Sequence, residues 1–259
     1  MFPIAHNYMT EQLVRAARPP FDRSFSPAEA ELLRIGCILP DFVSGMGLDR
    51  DRWHEAGRDF YEFCRAQLPE ALPLALGAWL HGIDGCGFDT YADEVWQGKM
   101  GWCFLKCLPY IPDAVLACNL PKKFALWKAH NLVELAAELE LAAAYPELGP
   151  KLLQAIQSPG AMAAVCRALE LYAGADPERV RPTLQTMHQR FSIVNTSPED
   201  CAQKYLEQLE RRHGISGGSV RAMAGLLRQM QTELKPELWQ WFGQVEELIQ
   251  QSFAKIFAI

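Results

Sequence analysis

Four of the chain's six histidines, His6, His54, His81 and His130, fall ahead of Glu134, and each has potential chemistry nearby. His6 opens the first helical stretch, and Asp41 follows in the turn Gly36-Cys37-Ile38-Leu39-Pro40-Asp41. His54 ends Arg52-Trp53-His54, His81 stands three residues before Asp84, and His130 stands four before Glu134. Histidine and carboxylate are the side chains that hold zinc or another borderline divalent metal, and a catalytic cluster draws several of them from separate helices. The remaining two, His188 and His213, lie in a second half without such a constellation.

Each candidate also has a plainer reading. On a helix, His130 and Glu134 share a face, so both reach one ion or simply bond to each other. An imidazole at His81, between Leu80 and Ile83, is costly to bury without a partner, and Asp84 is either that partner or a fellow ligand. Asp41 follows Pro40 at the end of an apolar stretch, where an unpaired carboxylate is costly. A second alignment uses Asp89 and Asp93, whose four-residue spacing puts two carboxylates on one helical face. It ranks behind Asp84 because it leaves His81 unexplained.

The elements that must position these residues read as helices nearly everywhere. Ser26-Pro27-Ala28-Glu29 is a capping box with proline at the first helical position, starting a helix to about residue 38 that Pro40 ends. Residues 51–67 carry an apolar stripe, and 72–83 are apolar almost all round, as in a central buried helix. Gly82, Gly85 and Gly87 then let the chain turn around Asp84. A long helix follows Pro121 to about Tyr145, and further helices are expected over 151–157, 160–173, 177–191, 198–212, 219–233 and 236–257. The expected class is all-α, a compact multi-helix bundle forming one domain over residues 1–259. Residues 1–148 make a metal-site half, and the helices of 149–259 pack on it.

At 259 residues, 49% hydrophobic and 22% charged, the chain has the composition of a globular protein. A formal net charge of −6 argues against long nucleic acid as a partner, but not against a small phosphorylated substrate. Met1 to His6 lacks the basic and apolar regions of a signal peptide, and the longest apolar stretch, Ala71 to Leu80, is too short for a transmembrane segment. The eight cysteines lie in helical patterns without a Cys-x-x-Cys pair, so reduced, buried thiols and a cytoplasmic location are expected.

In order and context, these residues resemble the zinc-dependent phospholipase C family, an all-helical superfamily that includes single-strand-specific zinc nucleases. The resemblance covers roughly residues 1–145. His6 matches the family's histidine near the amino terminus, Gly36, Pro40 and Asp41 its Gly-x-x-x-Pro-Asp turn, and His54 its histidine beside tryptophan. Gly77 and His81 match its Gly-x-x-x-His helix, and His130 with Glu134 its closing His-x-x-x-Glu. The resemblance implies up to three zinc ions hydrolysing phosphate esters of a small phosphorylated substrate or lipid head group. His54, His81 and Asp84 would hold one ion, and Asp84 would bridge to a second held by His6. His130 and Glu134, with Asp89 in place of a family histidine, would hold the third, and Asp41 would orient or deprotonate the attacking water.

Three departures mark the chain off. His81 to Asp84 spans three residues where the family has four, Asp89 stands where a histidine is expected, and Met1 shows no sign of processing to a free terminal ligand. A non-catalytic helical scaffold or partner-binding protein with a partly eroded metal site is therefore the alternative. Trp53, Trp79, Phe88, Tyr91 and Trp96 are weighed as pocket walls against core filling. The apolar carboxy-terminal helix, Leu238 to Phe257, is weighed as a partner-protein surface against docking on the bundle.

Overall fold

The capping box at Ser26 forms: its hydroxyl accepts the Glu29 amide at 3.3 Å, and the Glu29 carboxylate accepts the Ser26 amide at 2.9 Å. Side chains of Asp49, Ser158, Asp176 and Ser197 start four further helices in the same way, each taking an amide of the first turn. The computed structural model describes residues 2–16, 24–194 and 196–257, and no strand occurs among the described residues. The class is all-α.

In chain order the helices are α1 (Pro3–Ala16), α2 (Pro27–Gly36), α3 (Leu39–Phe42), α4 (Arg50–Glu55), α5 (Gly57–Gln67), α6 (Leu72–His81) and α7 (Trp102–Cys107). They continue as α8 (Ile111–Cys118), α9 (Ala125–Ala144), α10 (Leu148–Gln157), α11 (Pro159–Ala173), α12 (Pro177–Gln185), α13 (Pro198–His213) and α14 (Val220–Phe257). The stripe over 51–67 breaks into α4 and α5 at Ala56, and the helix expected over 177–191 stops at Gln185. Pro40 does not end a helix but sits in the first turn of α3, so Asp41 lies within a one-turn helix.

The largest difference is α14, which continues for 38 residues through Pro236 instead of breaking there. Proline costs one helical hydrogen bond. Against that, Met230, Leu234, Leu238, Trp241, Val245, Ile249 and Phe253 are all buried at helical spacing along one side. On α9, the buried Glu140 carboxylate accepts the Trp239 indole N–H at 3.1 Å and pairs with Lys235 at 2.8 Å, fastening both flanks of the proline. The apolar stripe weighed as a partner-protein surface thus docks mainly on the bundle. Trp53, Trp79, Phe88 and Trp96 are core residues as well.

At the centre α6 is buried from Pro73 to His81 and crosses α2 at a pair of glycines. A Cβ on Gly36 would stand 2.1 Å from the Leu74 carbonyl oxygen, and one on Gly77 would stand 2.3 Å from that of Leu33. The two backbones touch, which only glycine on both sides permits. Gly77→Ala is expected to cost at least about 1–3 kcal/mol through overpacking, read as a lowered thermal midpoint. An unchanged midpoint would show that the crossing has slack.

Candidate metal centre

The α2–α6 crossing carries directly into the site. It brings the Cys37 carbonyl 2.8 Å from Nδ1 of His81, the last residue of α6, while Nδ1 of His54 lies 2.8 Å from the Arg50 carbonyl one turn back in α4. A carbonyl only accepts, so both Nδ1 atoms carry a proton, and in the neutral form of each ring Nε2 is the bare nitrogen. These two Nε2 atoms face each other at 3.2 Å, with both rings buried.

Two carboxylates close on the same point. Asp89 Oδ2 lies 3.2 Å from His81 Nε2 and 3.8 Å from His54 Nε2. Asp41 Oδ1 lies 3.5 Å from His54 Nε2, and its Oδ2 lies 3.9 Å from His81 Nε2. Ligands on one tetrahedral zinc are spaced by about 3.3 Å, the edge set by bonds of ~2.0–2.1 Å. Four acceptors at this spacing repel one another unless a cation or a proton lies between them. The tautomers, the spacing and the paired carboxylates fit a divalent ion.

Asp89 also reaches a second position, where its Oδ1 is 3.3 Å from His6 Nε2 and the His6 ring stacks on His81 with centroids 3.8 Å apart. His6 is delivered there by α1, and α1 is held by α9. The buried Glu138 carboxylate accepts the Ile4 amide at 2.8 Å and the Ala5 amide at 2.6 Å, two first-turn N–H groups that have no partner inside the helix. The terminal amine considered as a further ligand belongs to Met1, which lies outside the described residues.

A third group lies along α9 one turn before Glu138. Ligand atoms of Asp93, His130 and Glu134 fall within 4.8 Å of one another, as do those of His6, His81 and Asp89 and of Asp41, His54 and His81. Asn131 donates to Glu134 Oε2 at 3.1 Å, and Phe104 stacks on the His130 ring at 4.0 Å, which fixes both side chains. A cleft of about 410 Å³ opens over these groups, lined on the first half by Asp41, Arg50, His54, Asp89, Asp93, Trp127, Lys128, His130 and Glu134. On the second half, α13 lines it with Tyr205, Gln208, Leu209, Arg212 and His213.

His6, Asp41, His54, His81, Asp89, His130 and Glu134 are therefore brought together, and Asp84 is not. Gly82 adopts an extended conformation that ends α6 at once, so Asp84 is not carried round the helix beneath His81. Its exposed carboxylate accepts the Cys86 thiol at 3.2 Å instead. The tight loop from Gly82 to Gly87 delivers Asp89 to the bridging position, and the π-helical turn Thr90–Glu94 brings in Asp93. The Asp89 and Asp93 alignment is the one the fold assembles, and His81 is explained within it.

Electrostatics separates the roles. Burial opposes ionisation of Asp41, but the Arg50 guanidinium, 2.7 Å away, and the His54 ring hold its carboxyl well below the ordinary range. Burial pushes Asp93 up to about 8, with the Glu134 and Asp89 carboxylates adding to the rise. Burial and the neighbouring His81 push His6 down to about 3, and burial takes His130 down to about 4. Glu138 is pushed up to about 8 by burial despite its two amides.

Arg50, Asn131 and Glu138 were not picked out as site residues by sequence reasoning, nor was the α13 wall, and Asp93 stood only in the second alignment. Only Asp93 had a usable signal, its spacing from Asp89. No family model, curated protein or solved structure matches the chain. The site therefore rests on its own geometry, that of an all-α protein with a buried histidine and carboxylate centre.

A pH dependence follows for the metal-free chain. The lowered His6 and His130 contribute stability that is complete above the ordinary 6.5 and lost as pH falls towards about 3 and about 4. The raised Asp93 and Glu138 contribute stability that is complete below their ordinary 3.8 and 4.5 and lost as pH rises towards about 8. Denaturant titration of chelator-treated protein should show a decline from pH 6.5 to 8, to which the raised Glu134 and His54 add. Saturating zinc should remove Asp93's share of the decline, since the ligands then bind deprotonated, and leave that of Glu138. A metal-free stability that keeps climbing to pH 8 would refute the raised carboxyls.

Proposed function

We propose that the chain is a metal-dependent hydrolase of phosphate esters, a phospholipase C-like phosphodiesterase built on a cluster of up to three zinc ions. The observation that carries this reading is the convergence of three His and carboxylate groups, joined through His81 and Asp89, at one cleft that members of each group line. His54, His81 and Asp89 would hold one ion, with Asp41 beside it, Asp89 and His6 a second, and Asp93, His130 and Glu134 the third. Bound ions supply Lewis acidity, neutralise charge on phosphate oxygens and lower the pKa of water towards ~7.

The chain's own residues supply placement. The carbonyls of Cys37 and Arg50 hold the His81 and His54 rings with Nε2 towards the cleft. Asp41 stays ionised, so it accepts a hydrogen bond from the attacking water and orients it. A carboxylate held that low is a weak proton acceptor, which favours orientation over deprotonation. Glu138 and Asn131 keep His6 and Glu134 in register. The net charge of −6 and the cleft volume favour a small phosphorylated substrate or lipid head group over long nucleic acid. No helix of the described residues is long and apolar enough to cross a membrane.

Protein purified without chelator should carry two or three zinc equivalents by elemental analysis. His81→Ala and His130→Ala should each lose metal and cut hydrolysis of bis(p-nitrophenyl) phosphate. The cut should exceed the roughly 10–100-fold that losing a partner behind a ligand costs. A metal-free chain whose stability ignores chelator would leave only a helical scaffold.

A further inference from the structure

We propose that Lys128 and Arg212 form an anion subsite beside the metal centre, which takes a second phosphate, a phosphomonoester carried by the substrate beyond its scissile diester. This rests on the hydrolase reading for the reaction, though not for the binding itself. The subsite is built from two helices that meet across the cleft. On α13, Tyr205, Gln208, Leu209 and Arg212 follow the spacing of one helical face, and all four line the cleft. Facing them on α9 are Trp127, Lys128, Asn131 and Glu134.

Lys128 is only 8% exposed, yet it makes no ion pair among the described residues; its Nζ lies 5.7 Å from the centroid of the Trp127 ring, and Glu134 attracts it from beyond ion-pair distance. Arg212, at the open edge, makes no ion pair among the described residues either. Nearby Arg50 is already matched by Asp41. A buried ammonium is expensive to keep without a counter-charge. Two cations left unmatched in a chain of net charge −6 mark a place where the counter-charge arrives with a ligand.

The backbone at this place is fixed, because the Tyr205 hydroxyl donates to the Lys128 carbonyl at 3.0 Å and lies 3.1 Å from Asn131 Oδ1. Lys128 and Arg212 line the same cleft as His130 and Glu134, so a phosphodiester at the metal centre would extend its further group along that cleft towards these cations. A phosphomonoester carries more charge than a diester and offers three acceptor oxygens, which suits an ammonium and a guanidinium together. A phosphorylated inositol head group and a nucleotide with a terminal phosphate both have this chemistry.

Binding and turnover test the proposal separately. Calorimetry with inorganic phosphate on the chelator-treated chain should show binding that weakens about 10-fold or more in K128A/R212A, the size of one lost charge-assisted contact. The variant's circular dichroism and zinc content should match the parent. On the zinc-loaded chain, two substrate pairs are compared: glycerophosphoinositol with and without a 4-phosphate, and thymidine 5′-(p-nitrophenyl phosphate) with and without a 3′-phosphate. The phosphorylated member of at least one pair should have a KM lower by roughly 10-fold, an advantage that disappears in K128A/R212A. Whichever pair shows it identifies the source. Phosphate binding indifferent to the double variant, or an advantage that survives it, overturns the subsite. Phosphate binding that depends on Lys128 and Arg212 without hydrolysis of any diester would uphold the subsite and sink the hydrolase reading.

Discussion

The contact on which the site depends is the backbone-to-backbone crossing of α2 and α6 at Gly36 and Gly77. Helices normally stand 8–10 Å apart because side chains separate them. Here no Cβ intervenes, and the Cys37 carbonyl comes within hydrogen-bonding reach of His81. That carbonyl fixes which nitrogen of His81 carries its proton and therefore which one is free to bind. The same crossing leads into the turn carrying Asp41. Two glycines thus set the chemistry of an imidazole several residues away.

Around this point the molecule gathers more negative charge than a protein interior tolerates. Asp41, Asp89, Asp93 and Glu134 surround one cleft, and Arg50 pairs directly with Asp41. The metal-free chain meets the excess by protonation, as the raised Asp93 shows. Divalent ions would meet it without protons and so tie the stability of the centre to its loading. The cleft's other cations, Lys128 and Arg212, are set into it by α9 and α13.

Much of this was legible in the sequence. The helical class, most helix starts, the order of the histidines and the His130 and Glu134 pair follow from local pattern alone, because capping and the 3.6-residue period are local effects. Asp84 was misread for a physical reason. Spacing from His81 was counted as though α6 continued, while Gly82 ends the helix and passes the role to Asp89. The break expected at Pro236 failed because burial along α14 outweighs one lost hydrogen bond. Glu138, Arg50 and the α13 wall were invisible because each acts on a partner far away in sequence, and nothing local announces such a pairing.

One further consequence lies in α9. His130, Glu134 and Glu138 occupy successive turns of a single face, the first two within the centre and the third gripping the start of α1. The helix therefore works as a ruler, with its graduations read by different parts of the molecule. Substitutions elsewhere along α9 leave the graduations in place. A single inserted or deleted residue between Glu134 and Glu138 would turn one mark by about 100° relative to the other, parting His6 from Asp89 without touching either. Drift over α9 is thus constrained in length as well as in composition, and a lineage that keeps the site should never change the number of residues between His130 and Glu138.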